Sequence, residues 1–426
     1  RNGLVAKALQ SLDERGSAQE LVRDQYSGRY PFELLQNAND AALAMNTPGR
    51  AHFLLTDTAL IVADDGSGFG REQLEAICSL GRSSKGPGTA IGHKGLGFKS
   101  VGEVTESPQI LSAGIGFTFN EARLRAEITE LVGALDSRQR FPLYAFPFHV
   151  TVEDFAADSD VATRLLDEGF TTVIRLPLRA DVERGTVADH LVTHLSPTLL
   201  LFLNGVNQLE LVGTHGDFRA EVLREEEGVA EFAILEVDDS DEQWLIYRGS
   251  VPPDEEHLAL LGEAWKEVEA VNYAIAVPLD DEGQPWLEES WPLHVYFPTD
   301  ETPGLKVAVH AEWALSMDRR HISATAAAQP FNARLTAEVA RFAAEVVAVD
   351  LLHRFEASPE AVVALCPTAA DPSSGASRQL RSDWVAALAG TPFIPDAVGT
   401  RRCPEECARL PSSLPYKSAA HRDADL

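Results

Sequence analysis

"SSKGPGTAIGHKGLGFKSV" (residues 83–101) concentrates glycine and positive charge in one short part of the chain. It holds five glycines and three lysines in a chain whose formal net charge is −29. Glycines let backbone N–H groups approach an anion closely and lysines neutralise its charge, so the stretch is typical of a phosphate-binding segment. The alternative is a surface loop with solvated lysines. The stretch alone does not decide between them, so its neighbours in the chain are needed.

The glycine spacing differs from that of two common nucleotide-binding loops. Neither a Walker loop nor the G-x-G-x-x-G of dinucleotide-binding folds occurs, and Gly97 is followed by Phe98 rather than by lysine. Gly92, Gly95 and Gly97 form a G-x-x-G-x-G pattern, which is weak evidence by itself.

The composition is that of an ordinary soluble globular protein. The 426 residues suffice for two or three domains, and 45% of them are hydrophobic and 24% charged. Asp and Glu number 65 against 36 Lys and Arg. Such an acidic surface repels nucleic acid, so direct nucleic-acid binding by this chain is not expected. No apolar run approaches the roughly 20 residues that span a bilayer, so no membrane role is expected.

The cysteines bear on the cellular location of the chain, and its first residue bears on its relation to a longer protein. The four cysteines are too few and too scattered for a disulfide framework, which favours a reducing, cytoplasmic location. Cys403 and Cys407 would supply at most half of a metal site, because no second Cys or His pair is close in sequence. The chain begins at Arg1 rather than Met, which is compatible with a piece of a longer protein.

The hydrophobic pattern changes along the chain. It predicts helices over 3–25, 30–45, 71–84 and 331–356. It predicts two strands within 50–68, joined by a turn at 56–57, and further strands at 169–178, 230–236, 243–248, 271–278 and 293–298. Residues 196–212 read as a helix or buried turn followed by a strand. Residues 366–378 have the composition of a linker, and the chain after 391 shows little pattern.

The predicted helix over residues 30–45 carries a polar face. Glu33, Asn37 and Asp40 stand at i, i+4 and i+7 and therefore line one side. The opposite positions are apolar, namely Leu34, Leu35, Ala38, Ala42 and Leu43. The Glu33 carboxylate is suited to hold or activate a water. The neutral amide oxygen of Asn37 is suited to Mg²⁺, which needs few protein ligands. The alternative is a solvated helix face.

The segment "ADDGSGFG" (63–70) joins an apolar strand to a glycine-rich turn. Asp64 ends the strand, and Gly66 and Gly68 follow at D-x-G-x-G spacing. A carboxylate in this position can accept a hydrogen bond from an exocyclic amine, and glycines let a planar base approach the backbone. The alternative is a tight turn, for which Asp-Gly is a common pair.

Four segments, in this order, resemble the boxes of the GHKL ATPase superfamily, which includes heat-shock chaperones, DNA gyrase, mismatch-repair ATPases and histidine kinases. They are "ELLQNANDAA" (33–42), "DDGSG" (64–68), "GHKGLGF" (92–98) and "GFTTVIRL" (169–176). The run "LEAICSLGRSSK…IGHKGLGFKSV" is most similar to the sacsin-type and plant vein-patterning branch, which looks like the heat-shock chaperone ATPase. The resemblance implies ATP and Mg²⁺ as cofactors.

The resemblance implies roles in catalysis and phosphate binding. Glu33 would be the general base that orients the attacking water, and Asn37 would hold Mg²⁺. The phosphates would be cradled or neutralised by Ser84, Lys85, Gly92, His93, Lys94, Gly95, Leu96, Gly97, Phe98 and Lys99. Positioning and charge neutralisation supply most of the catalysis of phosphoryl transfer, so these roles are physically consistent. The motif leaves open which lysine meets the terminal phosphate.

The resemblance also implies an adenine-binding side. Asp64 would accept a hydrogen bond from the adenine amine, beside Gly66 and Gly68, with Thr171 at the start of the last strand. This strand reads Gly-Phe-Thr-Thr where many relatives have Gly-Thr. Thr171 and Thr172 therefore compete for the adenine-side role.

Residues 295–335 resemble the middle domain of the sacsin-like branch. In chaperone relatives a middle-domain arginine reaches the terminal phosphate, so Arg319 and Arg320 are the candidates here, with Arg319 slightly favoured. Such an arginine would couple hydrolysis to domain closure. The alternative is a surface arginine pair in an acidic protein. His310 and His321 flank this segment and are expected to be structural.

The expected fold class is α/β (α+β), with three parts. A Bergerat-type two-layer α/β sandwich that binds ATP would span 1–190, a chaperone-like mixed α/β middle domain 191–356, and a linker with a helical and irregular extension 357–426. The expected function is a Mg²⁺-dependent, ATP-hydrolysing conformational switch that acts on a protein partner or a larger complex. The same resemblance implies ATP-dependent homodimerisation, and a bacterial source would suggest anti-phage defence.

Three alternatives to this function stay open. A non-hydrolysing ATP sensor is disfavoured by the presence of Glu33, since such proteins often lose the base. A histidine kinase is disfavoured because no convincing phosphoacceptor helix precedes the ATP-binding segments. A DNA-processing ATPase is disfavoured by the acidic charge and by the lack of a recognisable lysine-finger segment.

Overall fold

A computed structural model describes residues 2–25, 28–78, 97–136, 138–262, 265–286, 290–355, 359–392, 394–395 and 400–406. The chain divides into two compact units. The N-terminal unit consists of Arg1–Leu223 and Leu235–Ser240, and the C-terminal unit of Arg224–Ile234 and Asp241–Leu426. Helices and strands occur in both, which confirms the prediction of a mixed α/β chain.

The N-terminal unit combines helices with a mostly antiparallel sheet. Its described α-helices are α1 (Asn2–Gln25), α2 (Tyr30–Met45), α3 (Arg71–Cys78), α4 (Glu121–Val132), α5 (Ser159–Asp167) and α6 (Arg184–His194). Its strands are β1 (Gly49–Leu55), β2 (Ala59–Asp64), β3 (Gln109–Ser112), β4 (Ile115–Thr118), β5 (Phe148–His149), β6 (Thr172–Pro177) and β7 (Val206–Val212). The predicted helices at 3–25 and 30–45 and the strands within 50–68 and 169–178 are thereby confirmed.

The strand order of this sheet is β7-β1-β2-β6-β3-β4-β5. β1 pairs with β7 in parallel, and the other pairings are antiparallel. Because β7 pairs with β1, residues after 190 belong to the same compact unit as the first helices. The predicted domain boundaries near 190 and 356 stay predictions about folding units.

The two faces of this sheet differ in what covers them. Ile61, Ala63 and Val173 point to a face that α5 and the 3₁₀ helix Val152–Asp158 cover with apolar side chains. Residues two apart on a strand share a face, so Leu60, Val62 and Asp64 point the other way. On that other face lies α2, because a Cβ placed on Gly49 of β1 would fall 2.5 Å from the Ala42 Cβ. Helical segments thus lie on both faces of the sheet around β2.

Local chemistry explains the start and end of α2. Pro31 lies in its first turn, where the missing N–H costs no hydrogen bond. Asn46 ends the helix with φ 54°, in the left-handed region that asparagine tolerates. Leu34, Leu35, Ala38 and Ala42 are buried, as the apolar pattern predicts, whereas Leu43 is 39% exposed.

The C-terminal unit combines strands with a layer of helices. β8 (Phe218–Glu227) and β9 (Ala230–Val237) contribute residues to both units. The following elements are β10 (Ser240–Val251), α7 (Glu255–Leu261), β11 (Val271–Leu279), β12 (Leu293–Val295), β13 (Phe297–Pro298), β14 (Ala308–Ala311), α8 (Gln329–Phe342), α9 (Ala348–Arg354), α10 (Pro359–Val363), α11 (Gly375–Ala389), β15 (Ile394–Pro395) and β16 (Arg401–Arg402). Within this unit the strand order is β13-β12-β14-β11-β10-β9.

The core of the C-terminal unit lies between this sheet and the helices. It includes Tyr247, Ile275 and Val309 from the sheet and Leu335, Val339, Leu380 and Trp384 from α8 and α11. A π-helical turn, Ala343–Val347, joins α8 to α9, so the predicted long helix over 331–356 is confirmed almost throughout. None of the described helices combines the length and the apolar character needed to cross a bilayer.

One boundary in this unit departs from the prediction. Residues 366–378 were expected to be a linker, but α11 begins within them at Gly375. The Ser374 side chain accepts a hydrogen bond from the backbone N–H of Ser377 and so caps the helix. The buried Trp384 of α11 donates its indole N–H to the Leu365 carbonyl at 2.8 Å, which fixes the helix to the core.

Candidate functional site

The polar side of α2 is buried. Glu33 is 3% exposed and Asp40 is 7% exposed, while Asn37, between them, is half-buried. Two acidic side chains this deep in a protein require compensating polar surroundings, since an uncompensated buried carboxylate is costly. The alternative of a solvated helix face is therefore excluded for Glu33 and Asp40.

The turn that follows β2 packs directly against α2. The Ser67 backbone N–H donates to the Ala41 carbonyl at 3.0 Å. A Cβ placed on Gly66 would fall 2.5 Å from the Ala41 Cβ and 2.6 Å from its carbonyl carbon, so this position requires glycine. Because Ala41 lies one helical turn after Asn37, the turn is adjacent to the polar side of α2.

Strand register places Asp64 on the face that α2 covers. Asp64 is the direct partner of Ala51 on β1 and of Thr172 on β6. Direct cross-strand partners share a face, and Ala51 shares its face with Gly49, which contacts α2. Asp64 is 8% exposed, and one of its carboxylate oxygens accepts the Gly66 backbone N–H at 3.1 Å.

Ser112 links this turn to β6. Its hydroxyl lies 2.8 Å from the Thr172 hydroxyl and accepts the Phe69 backbone N–H at 2.8 Å. Ser112 and Thr172 are direct cross-strand partners and both are buried. Sequence reasoning did not single out Ser112, because only the pairing of β3 with β6 brings it beside the turn.

The two candidate threonines occupy different positions. Thr172 lies opposite Asp64 in the register, on the α2 face. Thr171 precedes β6, donates its backbone N–H to the Asp64 carbonyl at 2.9 Å, and has its methyl carbon 2.9 Å from a Cβ placed on Gly68. Gly68 itself has φ +73°, which favours glycine. Thr171 therefore lies against the glycine turn, and Thr172 lies beside Asp64 on the neighbouring strand.

Most of the glycine segment lies outside the described residues. This applies to Ser84, Lys85, Gly92, His93, Lys94, Gly95 and Leu96. The next described element is the 3₁₀ helix Gly97–Glu103, which contacts α2. Phe98 is buried, with its ring 6.0 Å from that of Tyr144.

Lys99 in this 3₁₀ helix is a buried cation. It is 2% exposed, and burial lowers its pKa to about 8, an effect that the nearby Cys78 opposes. A nearby negative charge favours the charged form of a buried ammonium.

Asn37 fits the role of a magnesium ligand. Its side chain is half-buried, and none of its atoms hydrogen-bonds to another described residue. Mg²⁺ bound to a nucleotide keeps several waters and phosphate oxygens, so one amide oxygen from the protein suffices. The described residues contain no cluster of three or more His, Cys, Asp or Glu that would hold a metal by itself. Cys403 places its sulfur 3.2 Å from the Gly390 carbonyl, and Cys407 lies outside the described residues.

Asn39 is a structural residue that sequence reasoning missed. Its side-chain oxygen accepts the backbone N–H groups of Gly205 and Val206 at 2.8 and 3.2 Å, and it is fully buried. These bonds tie α2 to the start of β7. The available signal was a polar residue on the apolar side of the predicted helix, since Asn39 falls between Leu35 and Leu43 around the helix axis.

The candidate arginines lie in the C-terminal unit, in the loop between β14 and α8. Arg319 is 9% exposed and has φ 56°, a left-handed conformation that costs a non-glycine residue on the order of 1 kcal/mol. Arg320 is exposed, and its backbone N–H donates to the Asp318 carboxylate at 3.1 Å. The alternative of a surface pair is therefore excluded for Arg319 by its burial.

A buried carboxylate holds this arginine loop. Glu301, 1% exposed, accepts the Ile322 backbone N–H at 3.3 Å and the Ser377 hydroxyl at 2.8 Å. It also accepts the Ser374 hydroxyl at the start of α11, and His321 lies 3.5 Å from its other oxygen. His321 is thus part of a structural cluster that connects the loop to α11.

His310 is also structural. Its Nδ1 accepts the Tyr296 backbone N–H at 3.0 Å, so that nitrogen carries no proton. Burial, with help from Arg248 and His294, lowers the pKa of His310 to about 3, and burial lowers that of His294 to about 4. Both histidines are therefore neutral near pH 7.

Comparison with known proteins shows a partial similarity. No family model matches the chain. The protein named NO VEIN from Arabidopsis thaliana is 34% identical over 208 residues, which is 47% of this chain. The chain spans 7% of the length of that relative. The similarity therefore concerns about half of this chain and a small part of a much longer protein.

Proposed function

We propose that this chain binds ATP with Mg²⁺ and hydrolyses it, as a GHKL-type ATPase of the sacsin-like branch. The observation that carries the proposal is the buried acidic constellation around α2. Glu33 and Asp64, 3% and 8% exposed, come from a helix and a strand that face each other, with a glycine turn packed between them. Buried carboxylates beside a close-approach glycine turn are costly unless they serve a ligand or a network.

The roles follow from position. Glu33, in the first turn of α2, orients and deprotonates the attacking water. Asn37 offers its amide oxygen to Mg²⁺, which would neutralise phosphate charge. Asp64 accepts a hydrogen bond from the adenine amine on the α2 face, beside Thr172 and Ser112. Lys99 and the glycine segment before it bind the phosphates. Arg319, from the C-terminal unit, would stabilise the terminal phosphate.

The proposed fold of the nucleotide-binding part is the Bergerat type, in which α2, contacted by the 3₁₀ helix Gly97–Glu103, covers the nucleotide-binding face of the sheet. α5 covers the other face, so this part has one helical layer more than the expected two-layer sandwich. The antiparallel sheet and the placement of Asp64 at the end of an inner strand support this proposal. Hydrolysis would drive a conformational switch that acts on a protein partner or on further domains.

The test pairs a binding and a turnover measurement on one variant. Glu33→Gln keeps the size of the side chain and one of its two acceptor oxygens but cannot act as a base. We expect ATP affinity within about threefold of the original protein and a phosphate-release rate lowered at least 100-fold, since general-base catalysis contributes about 10²–10⁴. Glu183→Gln, at the exposed start of α6, serves as the matched control. ATP binding without release in the unaltered protein would instead favour a sensor, and full turnover by Glu33→Gln would refute the base assignment.

A further inference from the structure

Arg50 contacts the candidate adenine-binding turn, and its side chain lies on the sheet face opposite α2. On β1 it alternates with Gly49 and Ala51, which point to α2, so its side chain points to the opposite face. It therefore cannot contact a nucleotide bound on the α2 face. Any effect of Arg50 on that site must act through other residues.

The first contact of Arg50 is with the turn itself. The Arg50 backbone N–H donates to one carboxylate oxygen of Asp65 at 2.6 Å, and its Nε donates to the other at 2.8 Å. Asp65 directly follows Asp64 in the sequence. Both oxygens of Asp65 are thus held by a single residue of β1, which fixes the chain where it leaves β2 and begins the glycine turn.

The second contact is with the loop that leads into β6. The Arg50 Nη2 donates to the Glu168 carbonyl at 3.1 Å, and the guanidinium carbon lies 4.5 Å from the centre of the Phe170 ring. Phe170 is buried in the apolar cluster beneath α5. The next residue, Thr171, donates its N–H to the Asp64 carbonyl at 2.9 Å. Arg50 therefore joins the two segments that meet at Asp64.

We propose that Arg50 is a positioning residue for adenine recognition: by joining Asp65 to the Glu168–Phe170 loop, it fixes the Asp64 carboxylate and Thr172 in register. The inference rests on the proposed ATP-binding function. Guanidinium geometry suits the role, because its planar donors bridge a carboxylate, a carbonyl and an aromatic face at once. A lysine has one point charge and cannot make all three contacts.

The test measures selectivity rather than affinity alone. Dissociation constants for ATP and for purine riboside triphosphate, which lacks the 6-amino group, are measured by calorimetry with Mg²⁺. In Arg50→Met we expect the preference for ATP to fall about threefold or more, because a displaced Asp64 loses its geometry toward the amine. A purely structural role would weaken both ligands equally and leave the ratio unchanged.

Arg219→Met is the matched control. Arg219 lines the same small cavity of about 150 Å³ as Arg50. Its guanidinium makes no hydrogen bond or ion pair with another described residue. We expect the ratio to be unchanged in this variant. If Arg50→Met does not fold, Asp65→Asn replaces it, with a smaller fall in the same ratio.

Hydrogen exchange of the nucleotide-free protein gives an independent measure. We expect the Thr171 amide and the amides of residues 66–69 to exchange faster in Arg50→Met but not in Arg219→Met. If the unaltered protein binds ATP and Arg50→Met keeps the full ratio, the positioning role is refuted and the proposed function stands. If the unaltered protein does not bind ATP, the proposed function is refuted and this inference with it.

Discussion

Replacement of Asp64 by asparagine tests the nucleotide-binding proposal at one atom. Asp64 is 8% exposed, and one of its oxygens accepts the Gly66 backbone N–H at 3.1 Å. Asparagine keeps one oxygen and replaces the other by an amide NH₂. The Gly66 N–H needs an acceptor, so the retained oxygen stays with it. The NH₂ group then occupies the position from which the carboxylate would accept the adenine amine.

The expected magnitude follows from this mismatch. Two donors would face each other in a buried position, and an unsatisfied buried polar group costs about 1–3 kcal/mol. This corresponds to an ATP dissociation constant raised about 5- to 160-fold.

Calorimetric titration with ATP and with purine riboside triphosphate measures the effect, and urea unfolding checks the fold. The loss should be confined to ATP, because only ATP carries the amine. Asp57→Asn, in the exposed turn between β1 and β2, is the control and should leave both dissociation constants unchanged. An unchanged ATP affinity in folded Asp64→Asn, or an equal loss for both nucleotides, would refute the adenine assignment.

Three further predictions follow from the described contacts. Arg319→Ala should lower the rate of phosphate release at least tenfold with ATP affinity nearly unchanged. Arg320→Ala should leave the release rate and the affinity near normal. Equal effects of the two substitutions would show that burial does not distinguish the role of Arg319 from that of Arg320. Burial gives His294 and His310 pKa values of about 4 and about 3 in the folded protein. Below pH 6.5 both histidines take up protons in the unfolded chain but stay neutral in the folded protein. Their contribution to the free energy of unfolding is therefore fully present above pH 6.5 and is lost as the pH falls. Denaturant titrations should show the free energy of unfolding falling by up to about 2.7 kcal/mol per pH unit between pH 6 and 4, and His310→Asn should roughly halve the slope; a flat profile would contradict the burial of both rings. Gly66→Ala would place its methyl carbon 2.5 Å from α2 and should lower the free energy of unfolding by about 1–3 kcal/mol in urea titrations, whereas unchanged stability would show that the turn does not press on the helix.

The elements predicted correctly from the sequence have local signals. Pro31 in the first turn and an apolar face define α2, and the polar pair at 56–57 separates β1 from β2. These signals lie within a few residues of the element that they define. The sequence therefore indicated the two elements that carry Glu33 and Asp64, and both belong to one compact unit.

The parts that were missed depend on distant partners. Ser112 gains its place beside the turn only because β3 pairs with β6, about 60 residues later. Arg50 is an unremarkable polar position in a strand until Asp65 and the Glu168 carbonyl are brought to it. Neither pairing has a local sequence signature, since strand pairing is set by the packing of the whole sheet.

Burial of polar side chains was likewise not predictable from spacing. The i, i+4, i+7 pattern of Glu33, Asn37 and Asp40 is the same for a solvated face and for a ligand-facing one. The difference arises from the glycine turn and the 3₁₀ helix Gly97–Glu103, which pack beside α2. The sequence was equally compatible with a surface position for Arg319, whereas the structure buries it, in a loop that Glu301 holds through the Ile322 backbone N–H.

The most direct test of the central claim is titration of the purified chain with ATP and Mg²⁺, followed by phosphate release from the same sample. The proposal predicts saturable binding, slow release of phosphate, and loss of release but not of binding in Glu33→Gln. An absence of ATP binding, in a sample shown to be folded by its cooperative unfolding, would contradict it.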